Sequence, residues 1–317
     1  MYTIELTKII KQMNLENLTP EIDTDEILID HPDLNRPALQ LAGFFDHFDS
    51  ERIQIIGNVE YAFMTKMGVE QGIPMFERLM SYQFPALIFC RSLPVHEEIT
   101  RLGRKFGIPI LRSDKATSVL ESRLIRFLHE ELAPRVTMHG VLVDIYGEGV
   151  LITGDSGIGK SEAALELIKR GHRLVSDDVV VIRRVNENML LGKAPDITKY
   201  LIELRGIGII DVRTLFGFAA VRDEKSIDVI IRLEEWDKDQ EYDRMGLEDQ
   251  YTEILGNKVV THHIPIRPGR NLSIICEAAA ANYRQRANGY NAGRELYNRV
   301  SENIQRKLDG IKVGPRV

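Results

Sequence analysis

Apolar residues come in short bursts along the first third of the chain. RIQIIG (52–57) and ALIFC (86–90) are compact apolar runs bounded by charge, glycine or proline, which predicts buried strands. The intervening stretches change period. EYAFMTKM (60–67), MFERLMSYQ (75–83) and HEEITRLGRKFG (96–107) have helical spacing. IPILRS (108–113) reads as a further strand and DKATSVLESRLIRFLHEELAPR (114–135) as a helix of about five turns. Ser113 or Asp114 would cap that helix, and Pro134 would end it. Strands alternating with helices predict a small parallel or mixed sheet with helices around it.

The second half opens differently. GVLVDI and GVLITG flank the turn YGEG, a hairpin signal, so the second strand has an antiparallel neighbour just upstream. A doubly wound nucleotide fold would link such strands through helices instead. SEAALELIKRG (161–171) follows as a helix stopped by Gly171. HRLVSDDVVVIRRV, NMLLGKAP and IDVIIRLEEW (227–236) return to strand pattern. The polar C-terminal stretch 282–310 reads as helix, broken or bent at Gly289 and Gly293. The expected fold class is α/β in two domains: residues 1–132, a small sheet domain, and residues 133–317, a domain with a mixed sheet. The helix 114–135 forms the boundary.

Composition narrows the classes. At 317 residues the chain is long enough for two cores, and 44% hydrophobic with 28% charged residues is ordinary for a soluble globular protein. A net charge of -6 argues against a nucleic-acid partner. No apolar run approaches the roughly 20 residues that span a bilayer, and the charged N-terminus lacks the apolar core of a signal peptide. Cys90 and Cys276 sit in apolar company and read as buried free thiols in a reducing cytoplasm; the pattern alone leaves a disulfide between them open. No Cys/His spacing suggests zinc.

The candidate chemistry begins at GDSGIGKS: Gly154, Asp155, Ser156, Gly157, Ile158, Gly159, Lys160 and Ser161. An apolar strand enters this G-x-x-x-x-G-K-S run and a helix leaves it, as a phosphate-binding loop requires. Glycines let backbone N–H groups converge on phosphate oxygens. Lys160 would add a cation at the terminal phosphates, and the Ser161 hydroxyl could ligate Mg²⁺. Asp177 and Asp178 lie in a strand-like run, 17 and 18 positions after Lys160. Strand geometry would aim them at opposite faces, one toward a metal or its surroundings and one toward substrate. His139 would sit at the mouth of the hairpin leading to the loop. LIELRGIGIIDV joins Glu203 and Arg205 to Gly206 and Gly208, a pattern suited to close backbone approach to a ligand, with a carboxylate for metal and a guanidinium for phosphate. Arg244 falls in a charged stretch. Pro265, Arg267, Pro268, Gly269 and Arg270 make a rigid loop with two arginines, fit for an anion. From the residues alone the acceptor stays open: a protein, a small metabolite, or no acceptor at all in a nucleotide-dependent switch.

Taken together, MHGVLVDIYGEGVLITGDSGIGKSEAALELIKRGHRLVSDDVV, ELRGIGIIDV, IPIRPGRN and the upstream NRPALQLAGFFDHFDSERIQIIG resemble the HPr kinase/phosphorylase family of low-GC Gram-positive bacteria. The resemblance covers nearly the whole chain; Ile207 stands where the family often carries Leu. It implies a C-terminal domain similar to phosphoenolpyruvate carboxykinase, a hexamer, and a role in carbon catabolite repression. The implied activity is phosphorylation of a serine of the phosphocarrier HPr by ATP or pyrophosphate with Mg²⁺, and its reversal by phosphorolysis that yields pyrophosphate. It implies that Asp178 is the proton-transferring residue, that His139, Lys160 and Arg244 complete the active site, and that Ser161 and Glu203 ligate Mg²⁺. Residues 202–211 and 265–270 match segments tied to the phosphorylase direction.

Overall fold

The structure, a computed structural model, describes residues 2–239, 246–267 and 269–311. The chain divides into two compact units, Met1–Pro134 and Arg135–Val317.

The first unit holds a five-stranded sheet in the order Glu16–Asn17, Ile110–Arg112, Leu87–Phe89, Ile53–Ile56, Leu34–Asn35. The last four are parallel and the first is an antiparallel edge. Helices cover both faces, as a parallel sheet needs. On one side Leu6, Ile9 and Met13 meet Leu120, Leu124 and Leu128; on the other Phe76, Leu79 and Met80 meet Ile99 and Leu102. The helix expected at 75–83 starts earlier, as Val69–Met80, with Pro74 inside it. The long helix is Thr117–Leu132, and neither Ser113 nor Asp114 caps it. Both are spent elsewhere: the Ser113 hydroxyl accepts the Lys115 N–H, and Asp114 pairs with the Lys115 ammonium. Ala116 takes the N-cap position without a side-chain bond.

The second unit has a mixed six-stranded sheet in the order Arg173–Ser176, Val141–Ile145, Glu148–Gly154, Val229–Glu235, Asn257–Ile266, Gln250–Ile254. The expected hairpin is present: Val141–Ile145 and Glu148–Gly154 pair antiparallel around Tyr146 and Gly147, both at positive φ (54° and 89°). Period-two alternation splits these strands between two cores. Val141, Val143, Val150, Ile152, Val229 and Ile231 face the helices Lys160–Lys169 and Leu272–Ala287. Leu142, Leu151 and Ile230 face a second, four-stranded sheet through Val180, Ile182 and Leu190. Arg170 holds Glu277 through two hydrogen bonds of 2.8 and 2.6 Å, and His172 adds a third contact at 2.9 Å. This fork ties one covering helix to the other, and it holds the Glu277 carboxyl down at about 2. In the tail, Gly289 (φ 90°) separates two helices, whereas Gly293 lies within Ala292–Ile311 and does not break it. Cys90 and Cys276 are buried free thiols in separate units, pushed up by burial to about 11 and about 12.

Candidate active site

The site is assembled where the strand Glu148–Gly154 ends and the helix Lys160–Lys169 begins. Glycine is required on both sides of the loop between them. A Cβ on Gly154 (φ 140°) would lie 2.5 Å from the Leu233 carbonyl oxygen of the parallel neighbour strand. A Cβ on Gly157 (φ 85°) would lie 2.7 Å from the Arg205 guanidinium, which also donates to the Ser156 hydroxyl at 3.0 Å. Lys160 folds back and donates to the carbonyls of Gly154 and Asp155, each at 2.8 Å. Ile158 packs against the core and Gly159 abuts Leu272. No side chain caps the first turn of the helix, so its amides are left for a ligand or water.

The two aspartates occupy a corner and not a strand interior. Arg173–Ser176 belongs to the six-stranded sheet and Val179–Asn186 to the four-stranded one, so the chain changes sheets between them. Asp178 has φ 62°, a strained left-handed backbone that aspartate tolerates better than most residues. Its carbonyl accepts the Gly140 N–H at 2.9 Å, and a side chain at 140 would press on the Ile152 carbonyl. The corner gives the two acids opposite surroundings. Asp177 is 5% exposed; its oxygens accept the Ser161 hydroxyl at 2.8 Å and the Glu203 N–H at 2.9 Å. Burial pushes its carboxyl above the ordinary range, against those two hydrogen bonds. Asp178 is 70% exposed, with His139 Nδ1 at 3.8 Å from its Oδ1.

His139 stands at the mouth of the hairpin, just before the strand Val141–Ile145, whose Val141 pairs with Ile152. It ends the strand Arg135–His139, which pairs with Val179–Asn186 in the four-stranded sheet, with His139 opposite Val179. His139 also lines a cavity of about 390 Å³ with Gly154, Asp155, Arg232 and Glu234, at the carboxyl ends of two parallel strands. That is where open α/β sheets place ligands.

Glu203 and Arg205 lie on a short hairpin, Leu201–Leu204 with Gly208–Asp211. Gly206 (φ 83°) and Gly208 (φ 103°) make its turn. The hairpin buries Ile202 in the core and pairs Glu203 with Ile209 on the opposite, exposed face. Ile207 and Ile209 are 74% and 72% exposed, an apolar ledge beside Glu203 that sequence reading missed. The signal was available: an apolar residue between two turn glycines has no core to enter.

The two arginines of the 265–270 segment each hold a partner within the chain. Arg267 stacks 3.4 Å over the Trp236 ring centroid, and Arg270 donates to the Pro265 carbonyl at 2.5 Å. Gly269 has φ 87°. Just beyond, the Asn271 amide donates to Glu166 on the loop helix at 2.8 Å. Arg244 and Pro268 lie outside the described residues.

Ser161, Asp177 and Glu203 offer hydroxyl and carboxylate oxygens, the donor chemistry of a hard divalent cation. Among the described residues no group of three or more His, Cys, Asp or Glu side chains is gathered to hold a metal ion by itself.

The family profile described as HPr Serine kinase C-terminal domain matches residues 130–300, and the one described as HPr Serine kinase N terminus matches residues 4–128. An HPr kinase/phosphorylase from Lachnoclostridium phytofermentans is 61% identical over 97% of this chain and 99% of its own length. The chain belongs to the HPr kinase/phosphorylase family. An HPr kinase/phosphorylase from Caldicellulosiruptor bescii is 50% identical over 96% of this chain and 98% of its own. The solved Hpr(Ser) kinase/phosphatase from Coxiella burnetii aligns with 48% of this chain and 99% of that one, at 37% identity and a TM-score of 0.45. Membership makes the chain an enzyme of the kinase/phosphorylase class. Among the described residues no helix is long and apolar enough to cross a membrane.

Proposed function

We propose that this enzyme transfers the terminal phosphoryl group of ATP or pyrophosphate to a serine of HPr, and reverses the transfer with inorganic phosphate. The observation that carries the reading is the corner at Asp177–Asp178: one buried acid tied to the loop serine, one exposed acid beside His139. In the kinase direction Asp178 takes the serine proton, and the serine oxygen bonds to the γ-phosphorus as the bond to the leaving β-phosphate oxygen breaks. In reverse a phosphate oxygen attacks the phosphoserine phosphorus. The serine oxygen leaves with the proton held on Asp178, and pyrophosphate forms.

The loop is read as a P-loop. Its free helix amides would hold the phosphates, and Lys160 would leave its two carbonyls for the transferring oxygens. Arg205 over Gly157 would address the same anion, with Arg244 and the segment 265–270 serving phosphorolysis. Ser161 and Glu203 would hold Mg²⁺, with Asp177 positioning the serine. When bound, Mg²⁺ supplies positive charge on the phosphate oxygens. A site of one or two carboxylates completed by substrate phosphate and water is ordinary for this ion. Ile209 shares its face with Glu203 and Ile207 is exposed at the turn beside it, so a protein whose serine reaches Asp178 would rest apolar surface on them. The helix Ala292–Ile311 exposes Leu296, Val300 and Ile304 four residues apart, a face for a second copy in the implied hexamer.

The test is transfer from labelled ATP to purified HPr, followed by excess phosphate and measurement of pyrophosphate. Label on a metabolite pool with none on HPr would overturn the reading. In the same assay Ile207→Ser raises KM for HPr severalfold and leaves nucleotide affinity unchanged; an unchanged KM removes the ledge from the docking surface.

A further inference from the structure

In the first unit, the helices Asn58–Met67 and Val69–Met80 and the start of Glu97–Phe106 enclose an open-mouthed cavity of about 220 Å³. Met64, Ile73, Phe76 and Ile99 form its apolar wall, and Tyr61 and His96 are among its few polar groups. None of its lining residues is Asp, Glu, Lys or Arg.

Gly72 is the key to this cavity. It is the fourth residue of its helix, where glycine costs about 1 kcal/mol relative to alanine. Packing does not demand it: a Cβ there would meet only the Met64 carbonyl oxygen, at 3.9 Å. Gly103, in the neighbouring helix, is the contrast. A Cβ at 103 would strike Ile110 at 2.6 Å and the Ile108 carbonyl at 2.8 Å. Gly103 is small because its neighbours are close, whereas Gly72 is small although they are distant. What a side chain at 72 would displace is the cavity itself. Pro74 removes a backbone donor from the same stretch, so this wall is a weak helix start anchored by the buried Phe76, Leu79 and Met80.

Size and lining define the occupant. An apolar cavity of roughly 150 Å³ lined by Leu, Ile and Phe stays dry and takes benzene. One of about 220 Å³ has room for a second ring. His96 Nδ1 accepts the Glu98 N–H at 3.2 Å, so in the neutral ring Nε2 carries the proton and is a donor. We infer that the N-terminal unit binds a small, uncharged, largely aromatic molecule bearing a hydrogen-bond acceptor, in the cavity that Gly72 keeps open.

The test is titration of the full chain with 2-naphthol, read by methyl NMR at Met64, Ile73 and Ile99. Saturable shifts centred on these methyls are expected, with a melting temperature that rises with ligand concentration. Gly72→Leu and Gly72→Met fill the space and weaken binding at least tenfold. Gly72→Ala retains binding and melts higher than wild type without ligand. Absence of saturable shifts in wild type, or undiminished binding in both filled variants, overturns the inference. So does loss of the native methyl spectrum in both filled variants, since the cavity would then be unable to accept a side chain of that size.

Discussion

Each unit buries a carboxylate that accepts a backbone N–H, and the two are treated in opposite ways. In the first unit Glu60 is 2% exposed, accepts the Gly57 N–H at 2.9 Å and meets the Arg36 guanidinium at 2.8 Å. Burial alone would raise its carboxyl, yet Arg36 and the amide hold it below the ordinary range. In the second unit Asp177 is buried as deeply, but it holds a hydroxyl and an amide, and burial wins. The nearby Lys160 spends its charge on two neutral carbonyls. The first carboxylate is neutralised by the chain itself and closes a structure. The second is left short of positive charge beside the loop that the proposed function assigns to a cation and phosphates. Among buried acids, the missing counter-charge separates a site from a strut.

The largest expected effect isolates the exposed partner in that second arrangement. Asp178→Asn keeps the corner, since asparagine also tolerates positive φ, but it cannot hold a proton in transfer. Phosphorylation and phosphorolysis both fall by about 10²–10⁴-fold while nucleotide affinity is retained. Near-normal turnover in either direction would remove Asp178 from proton transfer.

Asp177→Asn tests the missing counter-charge directly. Because the folded carboxyl is raised, its stabilising contribution is present below the unfolded value of 3.8 and lost as pH rises through the folded value. At neutral pH, above the unfolded value, the burial of this carboxyl therefore costs stability until a cation binds. The variant melts higher than wild type in EDTA at pH 7, binds Mg²⁺ some 10–100-fold more weakly, and loses most of the Mg²⁺-dependent rise in melting temperature. An equal rise in both proteins would show that Asp177 does not sense the metal.

The hairpin and loop beside the Asp177 corner were legible in the sequence, but the contrast itself was not. The Tyr146–Gly147 hairpin and the loop glycines have local signatures, because positive φ and close backbone approach select residue types directly. The corner was not legible. HRLVSDDVVVIRRV has the composition of one long strand, with no glycine or proline to interrupt it. What divides it is a distant partner: Gly140, which binds the Asp178 carbonyl, and the strand before it, which claims Val179–Asn186 for another sheet. The same pairing sets His139 opposite Val179, a neighbour the hairpin signal does not name. The capping error at Ser113 and Asp114 is also non-local in part, since the Ser113 N–H is held at the end of its strand by the Phe89 carbonyl of the next one. Glu60 gave no chemical signal because its partner Arg36 lies 24 residues upstream.

Glu60→Gln supplies the smallest effect and the sharpest control. The glutamine can still accept the Gly57 N–H, so the helix start survives, while the guanidinium of Arg36 loses its charged partner. Arg36 is partly exposed and water can take over, which keeps the loss near 2 kcal/mol, toward the middle of the range for hydrogen bonds to charged groups. Its sign with pH is the reverse of the one for Asp177. The Glu60 contribution is full above the unfolded value of 4.5 and is lost as pH falls through its lowered folded value, so wild type and variant converge in acid. Urea unfolding of both proteins from pH 7 downward reads this convergence. A gap that widened in acid would mean that Glu60 and Asp177 share the same uncompensated state, and that counter-charge does not distinguish the closed carboxylate from the open one.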